Sequence, residues 1–461
     1  MKISLWVASW FTFTLGPVLT IAQTNYLPLQ AFGTSSLGNG NCVARLLEGS
    51  DGALYGVAGS VFRLNKDGSG ARTLHTFGSS PADGATAMAG LVELSDGCLY
   101  GTTTYGGTAT GAGFGTVFKL NKDGTGYVIL HRFGIEPNDG KYPGGGLTAV
   151  GQMLYGTTWD GGSNDLGTIF KLDGNGTGYA TVHSFRGGGS DLATPRSDLV
   201  KGSDGALYGL TAYGSNSLAG AVFKITPDGT GYTVLRNFAE TGGDANNPWG
   251  LLEASDGVLY GVSNAGGSAG YGALFKLGKD GSDYRVVHSF AHDGIDGIQP
   301  NPLFEGKDGA LYGTTSGGGG YEGGTAFKIN KDGAGYIILR NFRNGNEAGW
   351  YPAAGLVQAG DGIFYGTTYH SVGDGLGPGV VFALSLQPRS WFTSWALGEN
   401  CVTSLTARAA ADAPFRLQAA TSLAPANWQD TETNYANALG VLSFTNLSNE
   451  QTWLYYRLVA H

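Results

Sequence analysis

Short apolar runs alternate with polar turns along most of this chain, and the runs recur in the same order. In one copy they are residues 90–93, 99–103, 115–120 and 127–133. Apolar and polar positions alternate within the longer runs, as in half-buried strands, and no run has a helical period. Asp-Gly pairs separate the first run from the second and the third from the fourth; they favour tight hairpin turns because glycine adopts positive φ. The pattern predicts four antiparallel strands per copy, the content of one propeller blade.

The block occurs seven times, at intervals of 45 to 55 residues. Its two most regular segments are D-G-x-L-Y-G and V-F-K-L, with a glycine-rich stretch between them. The tyrosines of the first segment are Tyr55, Tyr100, Tyr155, Tyr208, Tyr260, Tyr312 and Tyr365. The phenylalanines of the second are Phe62, Phe118, Phe170, Phe223, Phe275, Phe327 and Phe382. Seven copies of one supersecondary unit predict a closed ring or an open solenoid.

The two ends of the array favour the ring. The seventh copy lacks the outer Y-x-V-L-H-x-F strand, whereas residues 26–32 supply such a strand ahead of the first copy. If residues 26–32 complete the last blade, the ring closes and no sheet edge is left exposed. An open solenoid would not need this displaced strand. We therefore predict an all-β fold, a seven-bladed β-propeller of four-stranded blades closed by an N-terminal strand.

The repeated segment L-Y-G-T-T-x-x-G-G…G-T-V-F-K-L-N-K-D-G-T-G-Y resembles the bacterial extracellular tandem repeat called GloVer. That repeat is found in proteins with varied C-terminal anchors. The resemblance covers about residues 26–384 and implies an extracellular location and the repeat's identity. It implies no activity and no site residues. The tail departs from the family pattern, because it contains no recognisable sorting or anchoring signal.

After residue 386 the glycine-rich repeat is lost and strand-like runs with polar turns follow, at 415–419, 427–430, 441–445 and 453–459. Their order resembles the C-terminal β-sandwich modules of secreted bacterial proteins. We therefore expect three segments, a signal peptide (1–22), the propeller (23–386) and a small β-sandwich-like module (387–461). About 70 residues is small for an independent core, so the module is expected to dock on the propeller.

Composition and charge narrow the classes of function. The net charge is −9 and no basic run is present, which disfavours nucleic-acid and anionic-membrane partners. Lys2, an apolar stretch over residues 3–21 and small residues before Gln23 predict a secretory signal; an uncleaved membrane anchor is the alternative. We expect a secreted or cell-surface monomer with no membrane span after cleavage.

Histidines are candidate metal ligands or general bases. Four of them hold the same position in four blades, where other blades carry Gln30, Arg236 and Arg340; they are His75, His131, His183 and His288. Equivalent positions of different blades lie far apart, so these four histidines cannot converge on one metal. His370 breaks the repeat and remains a candidate ligand-binding residue.

A recurring aspartate follows the outer strand. Its copies are Asp83, Asp139, Asp191, Asp244 and Asp296. A ring of carboxylates at a channel mouth could bind calcium, which prefers several oxygen ligands. The alternative, favoured by the even recurrence, is that each aspartate caps its own turn. We expect no cofactor, with calcium as the open possibility.

Aromatic residues vary between blades in the loops that follow strands two and four, which emerge on one face. The candidate ligand-binding residues there are Tyr105, Trp159, Tyr213, Trp249, Tyr271, Tyr321, Trp350, Tyr369 and His370. Such side chains suit stacking on sugar rings or contact with a protein, or they pack the loops onto the blade tops.

The pattern therefore favours a non-catalytic extracellular binding or scaffold protein whose loop face takes a glycan or a protein. One alternative is a secreted polysaccharide lyase or hydrolase using the same face, with His370 and Glu347 or Asp374 as its best candidate residues. Another alternative is a structural cell-surface component. No convergent catalytic set is predicted.

Overall fold

The computed structural model describes residues 24–33, 44–108, 113–188, 191–214, 218–343, 349–370 and 379–386. In the tail it describes the strand residues 391–398, 401–408, 414–420, 429–435, 441–445 and 455–460. The predicted signal peptide, Glu347 and Asp374 lie outside these residues. No described helix is long and apolar enough to cross a membrane.

The strands from Thr24 to Leu386 form seven blades. β1 (Thr24–Ala31) precedes blade 1, which contains β2 (Leu47–Glu48), β3 (Leu54–Val57), β4 (Ser60–Leu64) and β5 (Arg72–Thr76). Blade 2 contains β6 (Gly84–Ala85), β7 (Val92–Glu93), β8 (Leu99–Thr103), β9 (Tyr105–Gly106), β10 (Thr116–Leu120) and β11 (Val128–Arg132). Blade 3 contains β12 (Gly140–Pro143), β13 (Thr148–Val150), β14 (Met153–Gly161), β15 (Thr168–Asp173) and β16 (Ala180–Ser184).

The remaining blades repeat this plan. Blade 4 contains β17 (Ala193–Pro195), β18 (Val200–Lys201), β19 (Leu207–Tyr213), β20 (Ala221–Ile225) and β21 (Thr233–Asn237). Blade 5 contains β22 (Ala245–Glu253), β23 (Leu259–Gly266), β24 (Ala273–Leu277) and β25 (Arg285–Ser289). Blade 6 contains β26 (Gly297–Pro300), β27 (Phe304–Glu305), β28 (Leu311–Gly318), β29 (Glu322–Ile329) and β30 (Ile337–Arg343). Blade 7 contains β31 (Trp350–Pro352), β32 (Val357–Gln358), β33 (Phe364–His370) and β34 (Val380–Leu386).

Each blade is an antiparallel meander, with the order β2-β3-β4-β5 in blade 1 as the simplest case. The core lies between neighbouring blades, where the tyrosine of each L-Y-G segment is almost fully buried. The glycine that follows is required by packing. A Cβ on Gly101 would lie 2.6 Å from the ring of Phe118, the phenylalanine of the V-F-K-L segment.

The predicted ring closure is confirmed. β1 pairs antiparallel with β34, so that Thr24 lies opposite Leu386 and Ala31 opposite Val380, and β1 is the outer strand of blade 7. Tyr26 packs between two phenylalanines of blades 6 and 7, with ring centroids 5.7 and 5.3 Å away. The seven-bladed all-β propeller is therefore the fold of residues 24–386.

The described residues of the tail form six strands: β35 (Trp391–Gly398), β36 (Cys401–Arg408), β37 (Pro414–Ala420), β38 (Gln429–Tyr435), β39 (Val441–Thr445) and β40 (Tyr455–Ala460). They pair as two three-stranded antiparallel sheets, in the orders β35-β36-β39 and β38-β37-β40. These sheets agree with an all-β tail; a sandwich of the two sheets remains a prediction.

Candidate functional site

The recurring aspartates lie between blades. Asp83 follows the outer strand of blade 1 and accepts a hydrogen bond from its own turn, at Gly84 N (2.7 Å). The same carboxylate lies 3.1 Å from His75 Nε2 and accepts a bond from the hydroxyl of Tyr127, in blade 2, at 2.6 Å. The rings of His75 and Tyr127 stack with centroids 3.5 Å apart. We call this group of histidine or arginine, aspartate and next-blade tyrosine an inter-blade clasp.

The clasp recurs with variations. The Tyr232 ring of blade 4 stacks on His183, but its hydroxyl has no hydrogen-bond partner among the described residues. In blade 4, Arg236 replaces the histidine and donates to Asp244 at 2.8 Å, and its guanidinium lies over Tyr284 of blade 5. Burial and the neighbouring Asp83 carboxylate raise the pKa of Tyr127 far above its usual value, so its hydroxyl stays protonated and donates.

The clasps show what the recurring aspartates contact. Each carboxylate caps its own turn, as the favoured alternative predicted, and also contacts its neighbours. Asp83, Asp139 and Asp296 are buried rather than arranged around an open mouth. Among the described residues, no three His, Cys, Asp or Glu side chains lie close enough together to hold a metal ion.

At one repeated position of the loop face, six of the described residues have left-handed backbone, with φ between 54° and 57°. They are Thr86, Tyr142, Thr194, Asn247, Gln299 and Tyr351. This conformation is costly for residues other than glycine. It aims the backbone N–H at the preceding blade, as in the bond from Gln299 N to Tyr271 O (2.9 Å). The face is therefore built on a repeated strained joint, and the side chain at that joint differs from blade to blade.

The predicted aromatic residues do not form one even ring. Tyr105 packs against Tyr142 in blade 3, with ring centroids 5.4 Å apart. Trp159 packs so closely on Gly144 that a Cβ there would lie 1.5 Å from its indole Nε1. Tyr213 and Trp249, in blades 4 and 5, are exposed. These residues cover the tops of blades 2 to 5.

Between blades 6 and 7 the loop face opens into a cleft of about 430 Å³, which is within the range of small-ligand sites. Blade 6 carries Ser316 and Gly317 directly after its L-Y-G-T-T segment. The aligned pairs in blades 2, 3, 4 and 7 each contain an aromatic side chain; they are Thr104-Tyr105, Trp159-Asp160, Ala212-Tyr213 and Tyr369-His370. At a further cleft position blade 6 carries Asn301, where blade 5 carries Trp249. Blade 6 thus has small side chains where blade 7 has Tyr369-His370, and Asn301 where blade 5 has Trp249, and the cleft lies where these large side chains are missing.

Tyrosines of blade 7 form one side of the cleft. Tyr351, at the strained joint, and Tyr369, at the end of β33, both line it. They belong to an aromatic group with Trp350 and His370, whose ring centroids are 4.7 Å apart. His370 is only 6% exposed, and its Nδ1 has no hydrogen-bond partner in the described part of the chain. His370 thus supports the tyrosines from below rather than presenting its ring to solvent.

Polar groups form the rest of the lining. Ser316 Oγ donates to the backbone and side-chain oxygens of Gln299, at 3.2 and 3.4 Å. Asn301 is buried, and its amide nitrogen is fixed by bonds to Thr314 Oγ1 and Pro352 O, both 3.0 Å. Glu322 stands at the outer rim, 61% of its side chain exposed.

The rim continues outward from Glu322. Its carboxylate lies 2.8 Å from His292 Nε2, and the His292 ring is 5.5 Å from the ring of Tyr271. Tyr321 precedes Glu322 in the chain and carries the guanidinium of Arg343 5.2 Å from its ring centroid. Tyr271 and Tyr321 are both exposed.

The structure thus brings Trp350, Tyr369 and His370 together and leaves Tyr105, Trp159, Tyr213 and Trp249 on other blades. Tyr271 and Tyr321 adjoin the cleft through Glu322. Sequence reasoning missed the polar lining, Gln299, Asn301, Ser316 and Glu322. A signal was present, because the run from Ser316 to Gly320 lacks the aromatic side chain that blades 2, 3, 4 and 7 carry there, a feature that blade 6 shares with blade 5 (residues 264–268).

Comparison with known proteins bears on the fold and the repeat. Residues 58–247 and 195–408 each match the Gloeobacter/Verrucomicrobia repeat. No curated protein matches the chain.

Solved structures are similar at low sequence identity. The extracellular domain of a proposed one-component system from B. thetaiotaomicron matches at TM-score 0.52 and 13% identity, over 94% of this chain and 56% of that one. A proposed 6-phosphogluconolactonase from Bacteroides uniformis matches at TM-score 0.46 and 14% identity, over 92% and 100%. The chain spans just over half the length of the first protein, and that likeness supports the propeller fold.

Proposed function

The chain belongs to the Gloeobacter/Verrucomicrobia repeat family, and from that premise we propose that it is a secreted, non-catalytic binding protein whose cleft between blades 6 and 7 takes a glycan. Residues shared by all copies of the repeat build the scaffold. A specific function is therefore to be sought where the copies differ, and the cleft is such a place.

One observation carries the proposal. Two tyrosines, Tyr351 and Tyr369, line a cleft whose other walls carry an amide, a hydroxyl and a carboxylate. Aromatic faces pack against the apolar faces of sugar rings, while amide and carboxylate oxygens accept hydrogen bonds from sugar hydroxyls. Fixed polar groups beside an apolar surface are the usual composition of a specific small-ligand site.

The lining favours binding over hydrolysis. Glycoside hydrolases generally use two carboxyl groups that flank the scissile bond. Glu322 is the one carboxylate among the described residues of the lining, and it stands at the rim beside His292. His370, the best sequence-derived candidate for catalysis, is buried behind the tyrosines.

The test is a glycan array combined with electrophoresis through gels that contain neutral or acidic polysaccharides. A polysaccharide that the protein binds slows its migration through the gel, and Tyr369→Ala should abolish this slowing. Tyr213→Ala is the matched control, because both tyrosines are 41% exposed on the same face and only Tyr369 lines the cleft. A wild-type protein that binds no glycan, or binding that Tyr369→Ala leaves intact, would overturn the proposal. Release of reducing ends or unsaturated products would favour the enzyme alternative instead.

A further inference from the structure

A second aromatic group lies beside the cleft. Tyr271 belongs to the loop before β24 and Tyr321 to the loop before β29. Both side chains are exposed, Tyr321 to 55%. Neither lines the cleft itself, so a ligand confined to the cleft would leave both of them unused.

Direct contacts connect this group to the cleft. The backbone oxygen of Tyr271 accepts the N–H of Gln299, a residue of the cleft lining, at 2.9 Å. Glu322 lines the cleft, follows Tyr321 in the chain and contacts His292, whose ring lies near Tyr271. The order along the face is therefore the cleft, then Glu322, then the two outer tyrosines.

The outer group is held in place before any ligand arrives. The Arg343 guanidinium lies over one face of the Tyr321 ring, an arrangement favoured by the ring's quadrupole. The Tyr271 ring has His292 as its neighbour, and His292 is in turn fixed by Glu322. Side chains positioned in this way lose little conformational freedom on binding, which favours affinity.

We propose that the ligand of this site is an extended oligosaccharide, whose sugars run from the Tyr351–Tyr369 cleft across Glu322 to Tyr321 and Tyr271. This inference rests on the proposed glycan-binding function and adds the ligand's length. A single sugar or disaccharide fills the cleft, and further units reach the outer tyrosines. Affinity should therefore rise with chain length until the outer tyrosines are covered.

The experiment measures affinities of the full chain for cello-, xylo- and manno-oligosaccharides of two to six units by isothermal titration calorimetry. In the series that binds, the hexamer should bind about tenfold or more tightly than the dimer, which is the gain expected from one additional aromatic contact of good geometry. Tyr271→Ala and Tyr321→Ala should remove this gain and leave dimer affinity unchanged. Tyr321→Phe should retain it, because the ring is kept. Tyr213→Ala should change neither affinity.

The outcomes separate the two proposals. Equal affinities for dimer and hexamer, with loss of both in Tyr369→Ala, would overturn the extended-ligand inference while leaving glycan binding in place. A hexamer preference that survives both alanine substitutions would overturn it too. If no oligosaccharide in the three series or glycan on the array binds, or if Tyr369→Ala has no effect, the proposed function fails and the inference with it.

Discussion

Replacing Asp139 by alanine should destabilise the propeller more than any surface substitution. The side chain of Asp139 is 1% exposed. Its carboxylate accepts hydrogen bonds from two backbone groups, Gly134 N at 2.9 Å and Gly140 N at 2.7 Å. It also accepts a bond from the hydroxyl of Tyr179 in blade 3 and lies 3.1 Å from His131 Nε2 in blade 2. Alanine leaves these four buried groups without their acceptor. At about 1 kcal/mol or more for each, partly relieved by entering water, we expect a loss of about 3 to 5 kcal/mol.

The part of this energy that acts between blades can be isolated. Tyr179→Phe removes only the hydroxyl and should cost about 1 to 2 kcal/mol. The loss of stability in the double variant should be smaller by about 1 kcal/mol than the sum of the losses in the two single variants. The reason is that the Tyr179 hydroxyl has no carboxylate to bind once Asp139 is gone. Guanidinium chloride unfolding, followed by circular dichroism, measures each loss provided that the slopes of the transitions agree.

The matched control is Asp123→Ala. Asp123 also caps a turn, accepting bonds from Thr125 N and Oγ1 at 2.9 and 2.6 Å, but it is exposed and contacts no neighbouring blade through these bonds. Its loss should be much smaller than that of Asp139→Ala, because the exposed groups that it leaves behind can bind water. If Asp139→Ala costs no more than Asp123→Ala, or if Tyr179→Phe is neutral, the inter-blade clasp contributes nothing to stability and the reasoning fails.

Three further results are expected. A chain that begins at Phe32 and so lacks Thr24–Ala31 should melt at least about 10 °C below one that begins at Thr24, because blade 7 then has an unpaired edge; equal melting temperatures would refute strand closure. Burial raises the pKa of Asp204, but hydrogen bonds from Lys224 and Tyr208 together outweigh it and lower this pKa to about 2. Since this pKa lies below its value in the unfolded chain, the stabilisation is present above about pH 4 and is lost as the pH falls toward 2. Asp204→Asn should therefore remove about 1 kcal/mol of acid-dependent stability after solvent screening. An unchanged acid unfolding curve would contradict this. Calcium or EDTA should shift the melting temperature by less than about 1 °C, and a calcium-dependent rise of several degrees would instead identify a metal site.

The blade count and the closing strand could be predicted because they depend on local chemistry. Hairpin turns at Asp-Gly pairs, strands of alternating polarity and one displaced strand at residues 26–32 are all visible along the chain. Only one part of each clasp, the aspartate that caps its own turn, could be predicted from the sequence. That Asp83 caps its turn follows from its neighbours, but its contact with Tyr127 depends on which side of one blade faces the next.

The cleft could not be predicted for a different reason. The predicted ligand-binding residues are aromatic, whereas the cleft results from the small residues Ser316 and Gly317, with the tyrosines supplied by the following blade. His370 was expected among the ligand-binding residues because it breaks the repeat. The strand β33 extends through residue 370 and buries its ring among aromatic neighbours. Exposure of a loop-face residue therefore depends on where each strand ends, which the repeat pattern does not specify.

The pairing of β1 with β34 also determines the order in which the molecule can be made. During synthesis, the strand at Thr24–Ala31 emerges first, and its partner at Val380–Leu386 emerges only after every other blade. Contacts within a blade join residues close in sequence and form quickly, whereas the β1–β34 pairing joins the two ends of the propeller sequence and must form late. Until then the nascent chain carries two unpaired strand edges, one at each end of an open arc. The interval between the appearance of the two partners is consequently the period in which the protein is most exposed to strand exchange with another copy, and in which a chaperone that shields β1 would have its greatest effect.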